Sequence, residues 1–99
     1  MPIQNRDTIL STLQSLKPRL TQQYHISRIG VFGSVIRGTQ SDTSDIDVLV
    51  EFTDPPGLFG FIEIEEFLSD TLQARVDLVD AEGIKPRLKC RILSEVRYV

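Results

Sequence analysis

Two neighbouring stretches decide the fold: Gly33-Ser34-Val35-Ile36-Arg37-Gly38 and, after a short spacer, Ser44-Asp45-Ile46-Asp47-Val48-Leu49-Val50. The second stretch alternates between apolar residues and other residues, which is typical of a β-strand. It predicts a strand over 45–52, with the apolar side chains on one face and both aspartates on the other. In the first stretch, a glycine and a serine stand where a short strand, with Ile29 and Val31 on one face, passes into one or two helical turns.

The paired aspartates of this strand indicate a cation site. Side chains two residues apart on a strand point the same way, with their Cα atoms about 7 Å apart, so Asp45 and Asp47 converge. Two ionised carboxylates on a sheet face are unfavourable unless positive charge lies between them. Mg²⁺ fits, because it takes one or two carboxylates and keeps positions for water and phosphate oxygens. From the strand alone, an exposed face with ordinary surface charges stays open.

The Gly33-Ser34 pair indicates where a phosphate could lie. A glycine at this junction lets a phosphate approach the backbone without a Cβ in the way. We expect Ser34 at the N-cap of the short helix, where its hydroxyl and free N–H groups can receive an anion. Arg37, one turn later, can contact a phosphate or pair with a nearby aspartate. An ordinary capped turn and a surface salt bridge are the alternatives.

A third acid, Asp77, lies in a later predicted strand, Val76 to Val79. If Val76 and Leu78 face the core, Asp77 faces the same side as Asp45 and Asp47. Asp80 falls on the other parity and is the weaker candidate. Three carboxylates beside a Gly-Ser turn suit metal-assisted nucleotidyl transfer, in which two metal ions clamp a triphosphate.

The rest of the chain predicts an α/β domain with one small sheet. An amphipathic helix covers about 7–22, with Pro18 kinking it or ending its regular part, and a second covers about 58–72. A terminal helix starts at Ile84 or Lys85 and reaches about Arg97. Its predicted core stripe is Ile84, Leu88, Ile92 and Val96.

Length and composition limit the function. The 99 residues predict a single domain, 1–99, with no separate substrate-recognition domain. One cysteine, Cys90, excludes an internal disulfide and a multi-cysteine zinc site. No apolar run reaches the roughly 18 residues of a membrane span, so we expect no membrane contact and a cytoplasmic location. The net charge of −3 argues against direct nucleic-acid binding.

The charge is unevenly distributed along the chain. Residues 41–82 contain twelve acidic side chains and one basic side chain, whereas residues 83–99 contain five basic and one acidic. Solvated helix faces of opposite sign are the plainer interpretation of this pattern. The alternative is an acidic, cation-binding centre beside a basic terminal helix.

Together these motifs resemble the polymerase-β-type nucleotidyltransferase superfamily, whose pattern is Gly-Ser, a spacer, Asp-x-Asp on a strand and a later third Asp. The two opening stretches resemble most closely the minimal nucleotidyltransferases (MNT), short proteins that act as antitoxins beside HEPN-domain toxins. The resemblance extends over nearly the whole chain. It implies a polymerase-β-like core, a small mixed β-sheet packed by helices.

The resemblance also implies roles for single residues. Gly33 and Ser34 would hold the triphosphate of ATP, and Arg37 is the third predicted nucleotide-binding residue. Asp45, Asp47 and Asp77 form the predicted catalytic triad and bind Mg²⁺, with two ions expected.

The implied reaction is transfer of AMP from ATP to a tyrosine hydroxyl of a HEPN ribonuclease toxin, which is thereby neutralised within a hetero-oligomer. One alternative is an antitoxin that neutralises by binding alone. Another is a nucleotidyltransferase for a small hydroxylated molecule, which normally needs an added substrate-binding domain.

Overall fold

The computed structural model describes residues 5–39 and 45–99, so Ser44 of the second motif lies outside the described residues. The elements alternate between helices and strands as the sequence predicts. In chain order they are α1 (Arg6–Tyr24), β1 (Ile26–Phe32), α2 (Ser34–Arg37), β2 (Ile46–Phe52), α3 (Gly57–Leu72), β3 (Val76–Asp80), a 3₁₀ turn (Ala81–Gly83), α4 (Pro86–Glu95) and β4 (Arg97–Tyr98).

The strands form one mixed sheet in the order β3-β2-β1-β4. β1 and β2 pair antiparallel, β2 and β3 pair parallel with α3 connecting them, and β4 pairs antiparallel with the other edge of β1. The predicted small mixed sheet packed by helices is therefore confirmed. Asp80, at the end of β3, caps the 3₁₀ turn by accepting a hydrogen bond from the Glu82 N–H at 3.0 Å.

One face of the sheet carries the hydrophobic core under α1 and α3. Alternate residues of β1, β2 and β3 point to this face, and every third or fourth residue of the two helices meets them. The buried members are Ile9, Leu13 and Leu20 of α1, Ile26, Ile29 and Val31 of β1, Val35 of α2, Ile46, Val48 and Val50 of β2, Ile64, Leu68 and Leu72 of α3, and Val76 and Leu78 of β3.

Helix α1 continues past Pro18 to Tyr24, so of the two predicted effects of this proline, the end of the regular helix is wrong and the kink stays a prediction. A proline lacks an N–H and costs the helix one hydrogen bond. Burial of Leu20 against the sheet offsets that cost on the far side of the proline. His25 caps the C-terminal end of the helix: it adopts the left-handed conformation, and its N–H donates to the Leu20 and Thr21 carbonyls.

The terminal helix differs most from the prediction. α4 stops at Glu95, and Arg97 and Tyr98 form a strand beside Val31 and Gly30 instead of a last helical turn. The approach is possible because Gly30 has no Cβ, which would lie 2.7 Å from the Arg97 carbonyl oxygen.

The predicted core stripe of the terminal helix is also wrong. Leu88 is 41% exposed, and no residue of α4 is buried. Ile84 precedes the helix and Val96 follows it, and both are half-buried. α1 and α3 cover the face of the sheet that carries the hydrophobic core, and α4 contributes no residue to that core. Among the described residues, no helix is both long and apolar enough to cross a membrane.

Candidate active site

The three predicted acids come together at one end of the open face of the sheet. Asp47 of β2 and Asp77 of β3 are direct partners in the parallel register, on strands that lie about 4.8 Å apart. Phe32, at the end of β1, is the partner of Asp47 on the other side. Asp45 precedes β2 by one residue and shares the parity of Asp47. The parity argument for Asp77 therefore agrees with the observed register.

These acids destabilise one another's charged forms. Burial, followed by the charges of Asp77 and Asp45, raises the pKa of Asp47 to about 6, and the positive charge of Arg37 opposes only part of this rise. Burial and the neighbouring carboxylates of Glu65 and Asp45 also raise the pKa of Asp77. The open face thus holds more negative charge than its own cations neutralise.

This donor set suits a hard divalent cation. The carboxylates supply only oxygen ligands, which Mg²⁺ prefers, and the raised pKa values show that a positive charge at this point would be favourable. Within residues 5–39 and 45–99, no group of three or more His, Cys, Asp or Glu side chains is arranged as a ready metal site. Mg²⁺ commonly completes its coordination with water and substrate phosphates.

The turn at Gly33 lies directly against Asp47. Gly33 is buried, has φ +78°, and could not carry a Cβ without a collision with the Asp47 carboxylate. Its carbonyl accepts hydrogen bonds from the N–H groups of Ile36 and Arg37, at 3.1 and 3.0 Å. Gly33, and not Ser34, is therefore the N-cap of α2, and within the described part of the chain no side chain caps this helix. The prediction for Ser34 is wrong because only glycine readily adopts the backbone conformation of the cap.

Arg37 pairs with Glu95, a residue that the sequence does not single out. Its Nη1 donates to Oε1 and Oε2 of Glu95 at 3.1 and 3.2 Å. The Gly33 N–H donates to the same Oε1 at 2.9 Å. One feature of the sequence could have identified this residue: Glu95 is the only acidic residue in the basic segment 83–99.

Two grooves flank Asp47 and Asp77, and their charges differ. A groove of about 550 Å³ on the α3 side is strongly acidic, with Arg75 as the one basic side chain among the described residues that line it. A smaller groove of about 210 Å³ lies between the Gly33 turn and α4 and is lined by two arginines, two acids and apolar side chains. Its lining residues are Phe32, Gly33, Arg37, Asp47, Leu88, Arg91, Ile92 and Glu95. The arginines make the smaller groove the better place for phosphate groups.

A Gly-Ser turn, a mixed sheet and in-register acids are features of a nucleotidyltransferase, and comparison with known proteins agrees. Residues 13–99 match the family described as the nucleotidyltransferase domain. The chain belongs to this family.

Similar proteins narrow the class further. The chain is 42% identical over 93 residues to the protein adenylyltransferase MntA of Thermococcus cleftensis, and the match covers 94% of each chain. It also resembles a chain in a crystal structure of a toxin–antitoxin complex with AMP-PNP, at 28% identity and a TM-score of 0.70, covering 95% of this chain and 71% of that one.

A third similarity is one of fold. A structure of a tri-AMPylated HEPN toxin of Shewanella oneidensis in complex with an MNT antitoxin matches at 23% identity with a TM-score of 0.62. The match covers 97% of this chain and 71% of that chain. The chain is thus similar to MNT proteins both in sequence and in fold.

Proposed function

We propose that this protein transfers AMP from ATP to a tyrosine hydroxyl of a partner HEPN toxin in a Mg²⁺-dependent reaction. The observation that carries the proposal is the contact between the Gly33 turn and Asp47, which is itself in register with Asp77. The turn that we propose to bind phosphate and the two carboxylates that we propose to bind metal are therefore adjacent at one end of the sheet. The similarity to an MntA adenylyltransferase supports AMP as the transferred group.

On the nucleotide side, Gly33, Ser34 and Arg37 would bind the triphosphate. Because Gly33 has no Cβ, its backbone lies directly against the Asp47 carboxylate, so phosphate oxygens could approach both residues. Arg37 supplies a guanidinium, which suits bidentate contact with phosphate oxygens. Its side chain is 43% exposed and so can reach a ligand in the smaller groove.

On the acidic side, Asp45, Asp47 and Asp77 would hold Mg²⁺. When bound, the metal supplies positive charge that stabilises the triphosphate and the departing pyrophosphate. Asp77 is the outer acid of the pair, more exposed than Asp47. In the proposed reaction, Asp77 would orient the acceptor hydroxyl and take up its proton. The acceptor oxygen bonds to the α-phosphorus while the bond from that phosphorus to the oxygen bridging it to the β-phosphorus breaks, and pyrophosphate leaves.

The acceptor would come from a partner protein, in a hetero-oligomer. The triad lies on a sheet face that α1 and α3 do not cover, so a segment of another protein has access to it. The similarity to the antitoxin chains of toxin–antitoxin complexes supports a toxin as that partner. The sequence resemblance to MNT proteins supports a HEPN toxin.

The test is a transfer assay with ATP labelled at the α-phosphate, Mg²⁺ and the product of the adjacent gene. We expect label on a tyrosine of that partner, and at least roughly a hundredfold less with Asp45→Ala plus Asp47→Ala. The double variant should stay folded, because neither carboxylate belongs to the core. Asp54→Ala, at an exposed turn beyond the other end of β2, is the matched control and should transfer label normally.

Two other outcomes would contradict the proposal. If mixing inactivates the partner while no label joins it, the protein is an antitoxin that acts by binding alone. If label appears on a small hydroxylated molecule such as an aminoglycoside, and not on the partner, the acceptor class is wrong.

A further inference from the structure

We propose that Glu95 is a positioning residue for nucleotide binding, acting through Arg37 and the Gly33 amide. The inference rests on the proposed function, since it assumes that the smaller groove receives the triphosphate of ATP. It adds a residue from the far end of the chain, 58 positions after Arg37. The sequence pattern of the motifs does not include it.

The Glu95 carboxylate binds both Gly33 and Arg37, two of the three residues that we propose to bind the triphosphate. Oε1 of Glu95 accepts from the Gly33 N–H at 2.9 Å and from Arg37 Nη1 at 3.1 Å, and Oε2 accepts from the same Nη1 at 3.2 Å. The Glu95 side chain is 19% exposed, so solvent screens these charge-assisted bonds less than those of an ordinary surface pair. Gly33 and Arg37 therefore have a common, largely desolvated anchor.

The backbone that carries Glu95 is itself fixed. Directly after it the chain joins the sheet, where Tyr98 pairs with Gly30 and Arg97 pairs with Val31. The Val99 N–H then donates to the Ile29 carbonyl at 3.0 Å. β4 thus holds the end of α4 against β1, the strand that leads into the Gly33 turn. Although α4 has no buried residue, its last residue is held in a defined place.

The geometry of the pair favours positioning over competition with the nucleotide. Both hydrogen bonds between Glu95 and Arg37 use Nη1, so the contact with Glu95 does not involve Nη2 or Nε. The guanidinium is thus oriented by one edge while its side chain remains 43% exposed beside the groove. Fixing Arg37 before ATP arrives lowers the ordering cost of binding, which is the usual gain from preorganisation.

The first measurement is the affinity for AMP-PNP with Mg²⁺, by isothermal titration calorimetry of the full chain. We expect Glu95→Ala to weaken binding by roughly tenfold, since one long side chain loses its anchor. Glu95→Gln should weaken it by roughly threefold, because its amide oxygen still accepts from the Gly33 N–H but carries no charge for Arg37. In the transfer assay, the loss should appear mainly in KM for ATP and less in kcat.

A double-mutant cycle tests whether Glu95 acts through Arg37. If it does, Glu95→Ala should cost much less affinity in an Arg37→Ala background than in the wild type. Glu63→Ala, an exposed acid on α3, is the control and should leave affinity unchanged. Thermal unfolding of each variant sets a temperature at which all are folded. If Glu95→Ala does not fold, Glu95→Gln is used in the same cycle.

Each result has a distinct meaning. Unchanged affinity in a folded Glu95 variant, or additive effects in the cycle, would overturn the positioning role. Tighter binding by Glu95→Ala would also overturn it, because Glu95 would then be competing with phosphate. Failure of the wild type to bind AMP-PNP would instead contradict the proposed function itself.

Discussion

The two faces of the β-sheet use the same strands for opposite purposes. On the core face, Ile46, Val48 and Val50 of β2 are fully buried beneath α1 and α3. On the open face, one residue away, Asp47 lies beside Asp77 and both have raised pKa values. Strand alternation alone places these residues on different faces.

The difference shows that, along the same strands, one set of alternate residues stabilises the fold and the other set carries the candidate catalytic acids. The core face gains free energy from apolar burial, at roughly 25 cal/mol per Å². At the acidic end of the open face the carboxylates repel one another without a bound cation, which costs free energy. We expect substitution of a core side chain and substitution of one of the repelling carboxylates to affect stability with opposite signs.

The largest expected effect is loss of a core side chain. Leu68 of α3 is fully buried, so Leu68→Ala should lower the free energy of unfolding by about 2 to 5 kcal/mol. Leu58→Ala in the first turn of the same helix, where the side chain is 71% exposed, should change it by less than about 0.5 kcal/mol. Urea unfolding measures both. Equal effects would mean that α3 is not held by this face.

The next effect tests the contact between the Gly33 turn and Asp47, which joins the nucleotide side of the candidate site to its acidic side. Gly33→Ala should cost about 2 to 3 kcal/mol, because alanine is strained at φ +78° and its Cβ collides with the Asp47 carboxylate. Gly57→Ala has nearly the same φ, +77°, but open space around it, so about 1 kcal/mol is expected. The difference between these variants in thermal unfolding isolates the collision. Equal costs would contradict the close approach.

A smaller effect of opposite sign is expected from Asp47→Asn. Because the pKa of Asp47 is raised from 3.8 to about 6, its contribution to stability is fully present below about pH 4 and is lost as the pH rises through about 6. The asparagine side chain cannot ionise, so the variant should gain about 1 to 2 kcal/mol over wild type at pH 8 and nothing at pH 4, with partial exposure limiting the gain.

Urea unfolding at the two pH values measures this gain, with Asp54→Asn as the control that should follow wild type. Added Mg²⁺ at pH 8 should raise the unfolding temperature of wild type but not that of Asp47→Asn. A variant that is less stable than wild type at pH 8 would show that the carboxylate stabilises the free protein.

The sequence predicts the two faces well because alternation depends on local parity. The positions of Asp45, Asp47 and Asp77 follow from residues two apart on a strand and from one assumption about Val76 and Leu78. The direct pairing of Asp47 with Asp77 does not follow, because register between distant strands depends on how the sheet assembles.

The C-terminal segment is less predictable for a related reason. Helical spacing from Ile84 to Val96 indicates an amphipathic helix, but it cannot show that α1 and α3 already cover the core face. Nor does local sequence show that Gly30 makes room for β4 or that Glu95 reaches Gly33. These contacts join residues more than 60 positions apart, and no local pattern reports them.

The smallest expected effect concerns an ion pair on the open face, near the end of β1 and β2 that lies away from the three acids. Arg28 Nη1 lies 3.5 Å from Glu51 Oε2, and the guanidinium lies 3.9 Å from the centre of the Tyr98 ring. The two charged side chains are 55% and 34% exposed, so solvent screens the ion pair.

Arg28→Met keeps the apolar stem and removes the charge, so it should cost less than about 1 kcal/mol in urea unfolding. Glu51→Gln, which leaves the cation–π contact intact, should cost still less and separates the two interactions. A loss comparable to that of Leu68→Ala would mean that the open face stabilises the fold as strongly as the core does. A small loss would agree with an ion pair that solvent screens and that contributes little to the stability of the fold.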